Sequence, residues 1–95
     1  MLVIKSFKQR WLEDFYYNDV KSGVKPQLRD RVFRKLKLID YASSLEDLRS
    51  QPSNQLHPLI GKKKGQWAIA VNGPWRLCFY FDQGEASEIE LIQYH

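Results

Sequence analysis

The sequence holds a single cysteine, Cys78, among 95 residues, so no disulfide forms within the chain. His57 and His95 together with that one thiol are too few soft ligands for a structural zinc site, and neither metal nor cofactor is expected. This cysteine usage reads as a reducing, cytoplasmic compartment. Long apolar runs are missing as well. Leu2-Val3-Ile4 meets Lys5 at once, so no targeting or membrane segment and no membrane partner is expected. Acids are absent from residues 62 to 76, which carry Lys62, Lys63, Lys64 and Arg76, and cations are absent from residues 82 to 95, which carry Asp82, Glu85, Glu88 and Glu90. Residues 21 to 37 set Lys21, Lys25, Arg29, Arg31, Arg34, Lys35 and Lys37 against Asp30 alone. A formal charge of +4 divided in this way points to a polyanion or an acidic partner on one side of the molecule. Solvated faces on a small basic protein are the competing account.

What is abundant is aromatic. Three Trp, five Tyr and five Phe, within a hydrophobic content of 43%, supply the bulk that so short a chain needs for a core, and residues 1–95 read as one domain. Leu2-Val3-Ile4 is a short strand candidate, and Ser6 a plausible helix N-cap. Phe7, Trp11, Leu12, Phe15 and Tyr16 then lie on one face at helical period, which predicts a helix to about Asn18. Gly23 interrupts the pattern, and Lys25-Pro26 restarts it with proline near the first helical position. Leu28, Val32, Leu36 and Ile39 make the stripe of a second helix reaching about Tyr41, with Arg31, Arg34 and Lys35 on or beside its outer face. A short helical turn over residues 44 to 49 follows, capped by Ser43 or Ser44, and then a polar loop.

From Gln66 the period becomes two. Trp67, Ile69 and Val71 alternate with Gln66, Ala68 and Ala70, Asn72-Gly73-Pro74 turns the chain, and Trp75, Leu77, Phe79 and Phe81 alternate with Arg76, Cys78 and Tyr80. A second turn at residues 82 to 85 leads to a last strand with Ile89 and Leu91 on one side and Glu88 and Glu90 on the other. The fold class that follows is α+β, with two N-terminal helices packed on one face of a small, mainly antiparallel four-stranded sheet. The other face is left bare.

Chemistry gathers on that bare face. His57 is restrained by Pro58, and Lys62, Lys63 and Lys64 between Gly61 and Gly65 form a mobile segment able to wrap a phosphate backbone. Arg76 emerges opposite the apolar side chains of its strand, and its guanidinium fork suits a phosphate; pairing with Glu88 or Glu90 is an equally good structural account. Residues His57, Arg76, Tyr94 and His95, if they converge, supply two imidazoles, a cation and a phenol. Two groups that exchange protons near neutral pH, with a cation facing the scissile phosphate, are what metal-free RNA cleavage needs. Strict alternation places Tyr94 with Arg76 and sends His95 to the opposite face, so the scheme requires the terminal residue to twist free of the strand.

Ile4-Lys5-Ser6-Phe7, Leu56-His57-Pro58-Leu59, Gly65-Gln66-Trp67, Val71-Asn72-Gly73-Pro74-Trp75-Arg76-Leu77, Phe81-x-x-Gly84 and the closing Tyr94-His95 resemble the HigB-type toxins of the RelE/ParE superfamily, in order and over essentially the whole chain. The resemblance implies a RelE-like fold and a metal-independent, ribosome-dependent mRNA endonuclease that cuts translated messages in the A site. A helix-turn-helix HigA-type antitoxin would neutralise it, and operator DNA would be met only through that antitoxin. His57 matches the family's loop histidine, Arg76 its strand arginine, and Tyr94 and His95 its terminal pair. Gln93 stands where the family often has an acid; an amide still hydrogen-bonds a neighbouring histidine but cannot stabilise an imidazolium as a carboxylate does. Lys62, Lys63 and Lys64, with Arg31, Arg34 and Lys35, are the expected contacts to RNA or the ribosome. Two other functions fit the same scaffold: a non-catalytic, ParE-like inhibitor of DNA gyrase, and a degenerate toxin that binds RNA without turnover.

Overall fold

A computed structural model describes residues 2–93. Helix α1 (Arg10–Asn18) is followed by a 3-10 turn at Pro26–Leu28, α2 (Arg29–Asp40), the short α3 (Leu45–Arg49) and a second 3-10 turn at Pro52–Asn54. Strand β1 (His57–Pro58), a 3-10 turn at Gly61–Lys63, β2 (Gln66–Asn72), β3 (Trp75–Asp82) and β4 (Glu85–Gln93) complete it. The sheet order is β1-β2-β3-β4, antiparallel throughout. None of the helices among the described residues is long and apolar enough to cross a membrane.

Helical and strand periods both resolve into one core. Leu12 and Phe15 from α1 and Val32, Leu36 and Ile39 from α2 are buried against Ile69, Val71, Leu77, Phe79, Ile89 and Leu91 of the sheet. Among the described residues Phe79 is the largest fully buried side chain. At about 25 cal/mol per Å² of apolar surface, each such aliphatic side chain contributes about 1.5–3 kcal/mol relative to exposure. Gly23 lies where an added Cβ would come to 3.0 Å from the Trp11 side chain, so any other residue there pushes the indole or the chain aside by a few tenths of an ångström.

The first eight residues depart from the expected strand and helix start. Ile4 and Phe7 form isolated parallel bridges to Ala86 and Ile89, and the fourth strand of the sheet is His57–Pro58 rather than residues 2–4. The backbone N–H groups of Lys5 and Lys8 donate to the carbonyls of Ala86 (2.7 Å) and Ile89 (2.9 Å), which keeps the segment extended and delays the helix to Arg10. Ser6 therefore caps no helix; its hydroxyl accepts from the Glu88 N–H at 2.9 Å. Gln9, the residue before α1, exchanges two bonds with Leu91, its amide oxygen accepting at 2.7 Å and its amide nitrogen donating at 3.2 Å. Beside this seam β4 bulges: Cys78 faces Glu90 and Tyr80 faces Ser87, so Glu88 and Ile89 together oppose Phe79, with Glu88 at a left-handed φ of 51°.

Asp40, buried at the end of α2, holds the segment from below. One carboxylate oxygen accepts from the Val3 and Ile4 N–H groups at 3.0 and 2.9 Å, and the other from the Tyr16 hydroxyl at 2.7 Å. Burial raises the Tyr16 phenol above the ordinary tyrosine range, and the Asp40 hydrogen bond and charge raise it further. An unfolded tyrosine ionises near pH ~10, so above that pH the native state retains a proton that the unfolded chain has lost. The contribution of this group to stability is full below about pH 10 and declines as pH rises beyond it. Tyr16→Phe should shrink that alkaline decline in a series of thermal melts, while Tyr17, shifted the same way by burial and by Asp40, keeps part of it. An equal decline in the variant would assign the effect elsewhere.

Candidate active site on the uncovered sheet face

Cross-strand register sorts the side chains into faces. His57 is opposite Ala68, Ala68 opposite Cys78 and Cys78 opposite Glu90, so these four form one row. Ala70, Arg76 and Ile92 form the next row on the same side. This is the side away from the helices, and it brings His57 and Arg76 to one surface. Two strand spacings and a two-residue offset put their Cα atoms about 12 Å apart, at ~4.8 Å per strand and ~3.4 Å per residue. A phosphodiester lying between them is within reach of both side chains.

His57 is fixed by its neighbours. Gln55, whose backbone is left-handed at φ 48°, turns its carbonyl toward the ring, 2.9 Å from Nδ1. A carbonyl only accepts, so Nδ1 carries a proton and Nε2 is the ring atom left to take or give one. Arg76 is fixed by the hairpin turn. Gly73, at φ 55°, takes a turn position that a side chain would strain, and its carbonyl accepts from Arg76 Nη1 at 2.6 Å. The Trp75 carbonyl accepts from the same nitrogen at 2.9 Å. Among the described residues nothing bonds the Nε and Nη2 edge, which suits a bidentate contact. No carboxylate among the described residues bridges Arg76; the alternative pairing to Glu88 or Glu90 is not formed, because Arg76 faces Ile92 and Glu90 is engaged elsewhere.

The lysine segment is not loose. It contains a 3-10 turn and folds back over the sheet, so that Leu59, Ala68 and Cys78 make a small buried cluster with Ile92 beside it. The face expected to be bare is thus partly roofed. Lys63 Nζ lies 3.1 Å from Glu90, whose side chain is 7% exposed, and Lys8 Nζ reaches the same carboxylate oxygen at 3.6 Å. Lys62 and Lys64 remain exposed. Burial pushes the Cys78 thiol up to about 11; Glu90 adds to the rise, and Lys63 and Arg76 pull against it, which places both cations within electrostatic reach of one buried atom.

Arg31, Arg34 and Lys35 lie in the helical layer, away from His57 and Arg76. With Lys37, Gln51 and Ser53 they line a cleft of about 510 Å³. Arg34 pairs with Asp30 at 2.6 Å, and Lys35 Nζ donates to the Asn54 side-chain oxygen at 2.5 Å. Burial, then the charges of Arg31 and Arg34, hold Lys35 below the usual lysine range. Tyr94 and His95 lie outside the described residues. Glu90 and Asp40 were not foreseen as anchors. The one signal for Glu90 is an acid between Ile89 and Leu91, in a strand otherwise fit for burial.

A family model described as the RelE-like toxin HigB of type II toxin-antitoxin systems matches residues 5–95. "Endoribonuclease HigB" of Proteus vulgaris is 39% identical over 93 residues, covering 98% of this chain and 100% of its own. "Toxin HigB-1" of Vibrio cholerae is 40% identical over 81 residues, 84% of this chain and 85% of that one. The solution structure of a conserved hypothetical protein from Helicobacter pylori, 16% identical, superposes with a TM-score of 0.54 over 96% of this chain and 94% of the other, a likeness of fold alone.

Proposed function

The chain belongs to the HigB-like family of RelE-like toxins of type II toxin-antitoxin systems, and from that membership we propose that it is a ribosome-dependent mRNA endonuclease acting in the cytoplasm. The observation that carries the chemistry is His57 and Arg76 on one sheet face, the histidine with an open Nε2 and the arginine with an open guanidinium edge. A base removes the proton of a ribose 2′-OH, and O2′ bonds to phosphorus. The P–O5′ bond breaks, and an acid protonates the leaving oxygen, giving a 2′,3′-cyclic phosphate and a 5′-hydroxyl. His57 Nε2 serves one proton transfer and His95 the other. Arg76 neutralises the phosphorane, and Tyr94 stacks on or positions a base. No metal or cofactor takes part in this scheme. The second reading, gyrase inhibition, has no use for His57 or His95 and is tested alongside by a supercoiling assay.

Incubating the toxin with mRNA on programmed ribosomes and with the same mRNA free in solution decides the matter. Cleavage of ribosome-bound but not free message supports the proposal; intact message with gyrase inhibited overturns it. A HigA-type antitoxin is the expected protein partner, bound over α2 or the loop of Lys62 to Lys64, where positive charge is least balanced.

Attachment to ribosomes should be strongly salt-dependent, because each phosphate contacted releases counterions. Replacing Lys62, Lys63 and Lys64 together by alanine should flatten the slope of log affinity against log salt by roughly 1 to 2, at ~0.7 to 0.9 per phosphate contact. An unchanged slope removes the loop from the interface.

A further inference from the structure

Glu90 is the least exposed acid on the nuclease face, and it is where three distant segments meet. Its own strand brings it beside Cys78, Lys63 reaches it from the loop, and Lys8 reaches it from the N-terminal segment. A carboxylate only 7% exposed is not tolerated without cationic partners, so this contact resists dissociation in a way that the exposed Arg34–Asp30 pair does not. Gly61 and Gly65, at φ 72° and 99°, let the chain reverse on either side of the 3-10 turn that carries Lys63. The loop therefore has two fixed points, the buried Leu59 and the paired Lys63, and Lys62 and Lys64 flank the second.

We propose that Glu90 is a positioning residue for RNA binding: by holding Lys63 it fixes the loop across the sheet and sets the exposed Lys62 and Lys64 on the side of the sheet that carries Arg76, as a preformed cradle for the phosphodiester backbone. This rests on the nuclease reading above and adds how the substrate backbone is held. Free lysines lose rotamer and backbone freedom when they bind; a loop already anchored has lost much of it during folding, and binding is tighter by that difference. Glu90 touches no reacting atom, so its effect falls on substrate affinity and leaves the chemical step alone.

Hydrogen exchange on the isolated toxin tests the anchor, and kinetics on programmed ribosomes test its consequence. In Glu90→Gln, and independently in Lys63→Met, amides of residues 59 to 65 should exchange at least about tenfold faster while the centre of β2 and β3 is unchanged. Glu90→Gln should raise KM roughly tenfold with kcat within about twofold. In a Lys62→Ala/Lys64→Ala background the same substitution should add nothing, because the residues through which it acts are gone. Unchanged exchange in both variants overturns the proposal. So does a full KM effect in the background lacking both lysines, which is what general loosening of the fold produces. If the wild-type toxin cuts no message, the nuclease reading fails by itself, and the exchange measurement still decides the anchor.

Discussion

Alanine at His57 should slow single-turnover cleavage on programmed ribosomes by about 10²–10⁴, the range for loss of a general acid or base. The structure makes the substitution clean: His57 is partly exposed, pairs through its backbone to Ala68, and spends one ring nitrogen on the Gln55 carbonyl. Melting should hardly change. Arg76→Ala should cost about 10²–10³ in rate, as for loss of a preorganised charge stabiliser. It also frees the Gly73 and Trp75 carbonyls at the hairpin tip, worth roughly 1 kcal/mol of stability each. Arg76→Lys keeps the charge and loses the fork, so its rate separates bidentate contact from simple attraction. Deleting His95 completes the set. A rate within about twofold of wild type would leave the proposed acid–base pair without its second member.

The largest effect on folding should come from Asp40→Ala. The substitution removes the acceptor of the Ile4 N–H and of the Tyr16 hydroxyl at a buried site, while the Val3 N–H keeps its second bond, to the Asp40 backbone carbonyl at 2.9 Å. Each unsatisfied donor costs about 1–3 kcal/mol, and with some relaxation the total for the two should be about 2–4 kcal/mol. For a domain whose whole stability is on the order of 5–14 kcal/mol, that is a drop of roughly 10–30 °C in Tm. Asp40→Asn keeps the shape and one acceptor oxygen and should recover part of the loss. Melting of the alanine variant within a few degrees of wild type would mean that water replaces the carboxylate and that β4 and the Asp40 backbone carbonyl suffice to hold the N-terminal segment.

Features with a local period were legible in the sequence. The stripe of Leu28, Val32, Leu36 and Ile39 is buried throughout, and the alternation around Ile69, Leu77 and Phe79 gives the covered face directly. That same alternation put Arg76 on the opposite face. What escaped was non-local. His57–Pro58 is too short to show a period and becomes a strand only because β2 offers it an edge. Phe7 and Lys8 look like the start of a helix behind Ser6 until the carbonyl of Ile89 claims the Lys8 amide. The bulge at Glu88 breaks the period of β4 without any glycine or proline to announce it. Charge was the least legible quantity. Lys62, Lys63 and Lys64 look equivalent as letters, yet the middle one is committed to a buried acid on a strand 27 residues away, and nothing in their order reveals that.

The bonds between Gln9 and Leu91 span 82 residues of sequence, so the molecule is closed by a clasp joining its two ends. Such a clasp cannot fasten on a growing chain until residue 91 has left the ribosome. Loop closure over that length is among the slower steps available to a small domain, and β4 keeps an open edge until it happens. The face that carries His57 and Arg76 is therefore completed only when these two distant segments meet, however early the helices form.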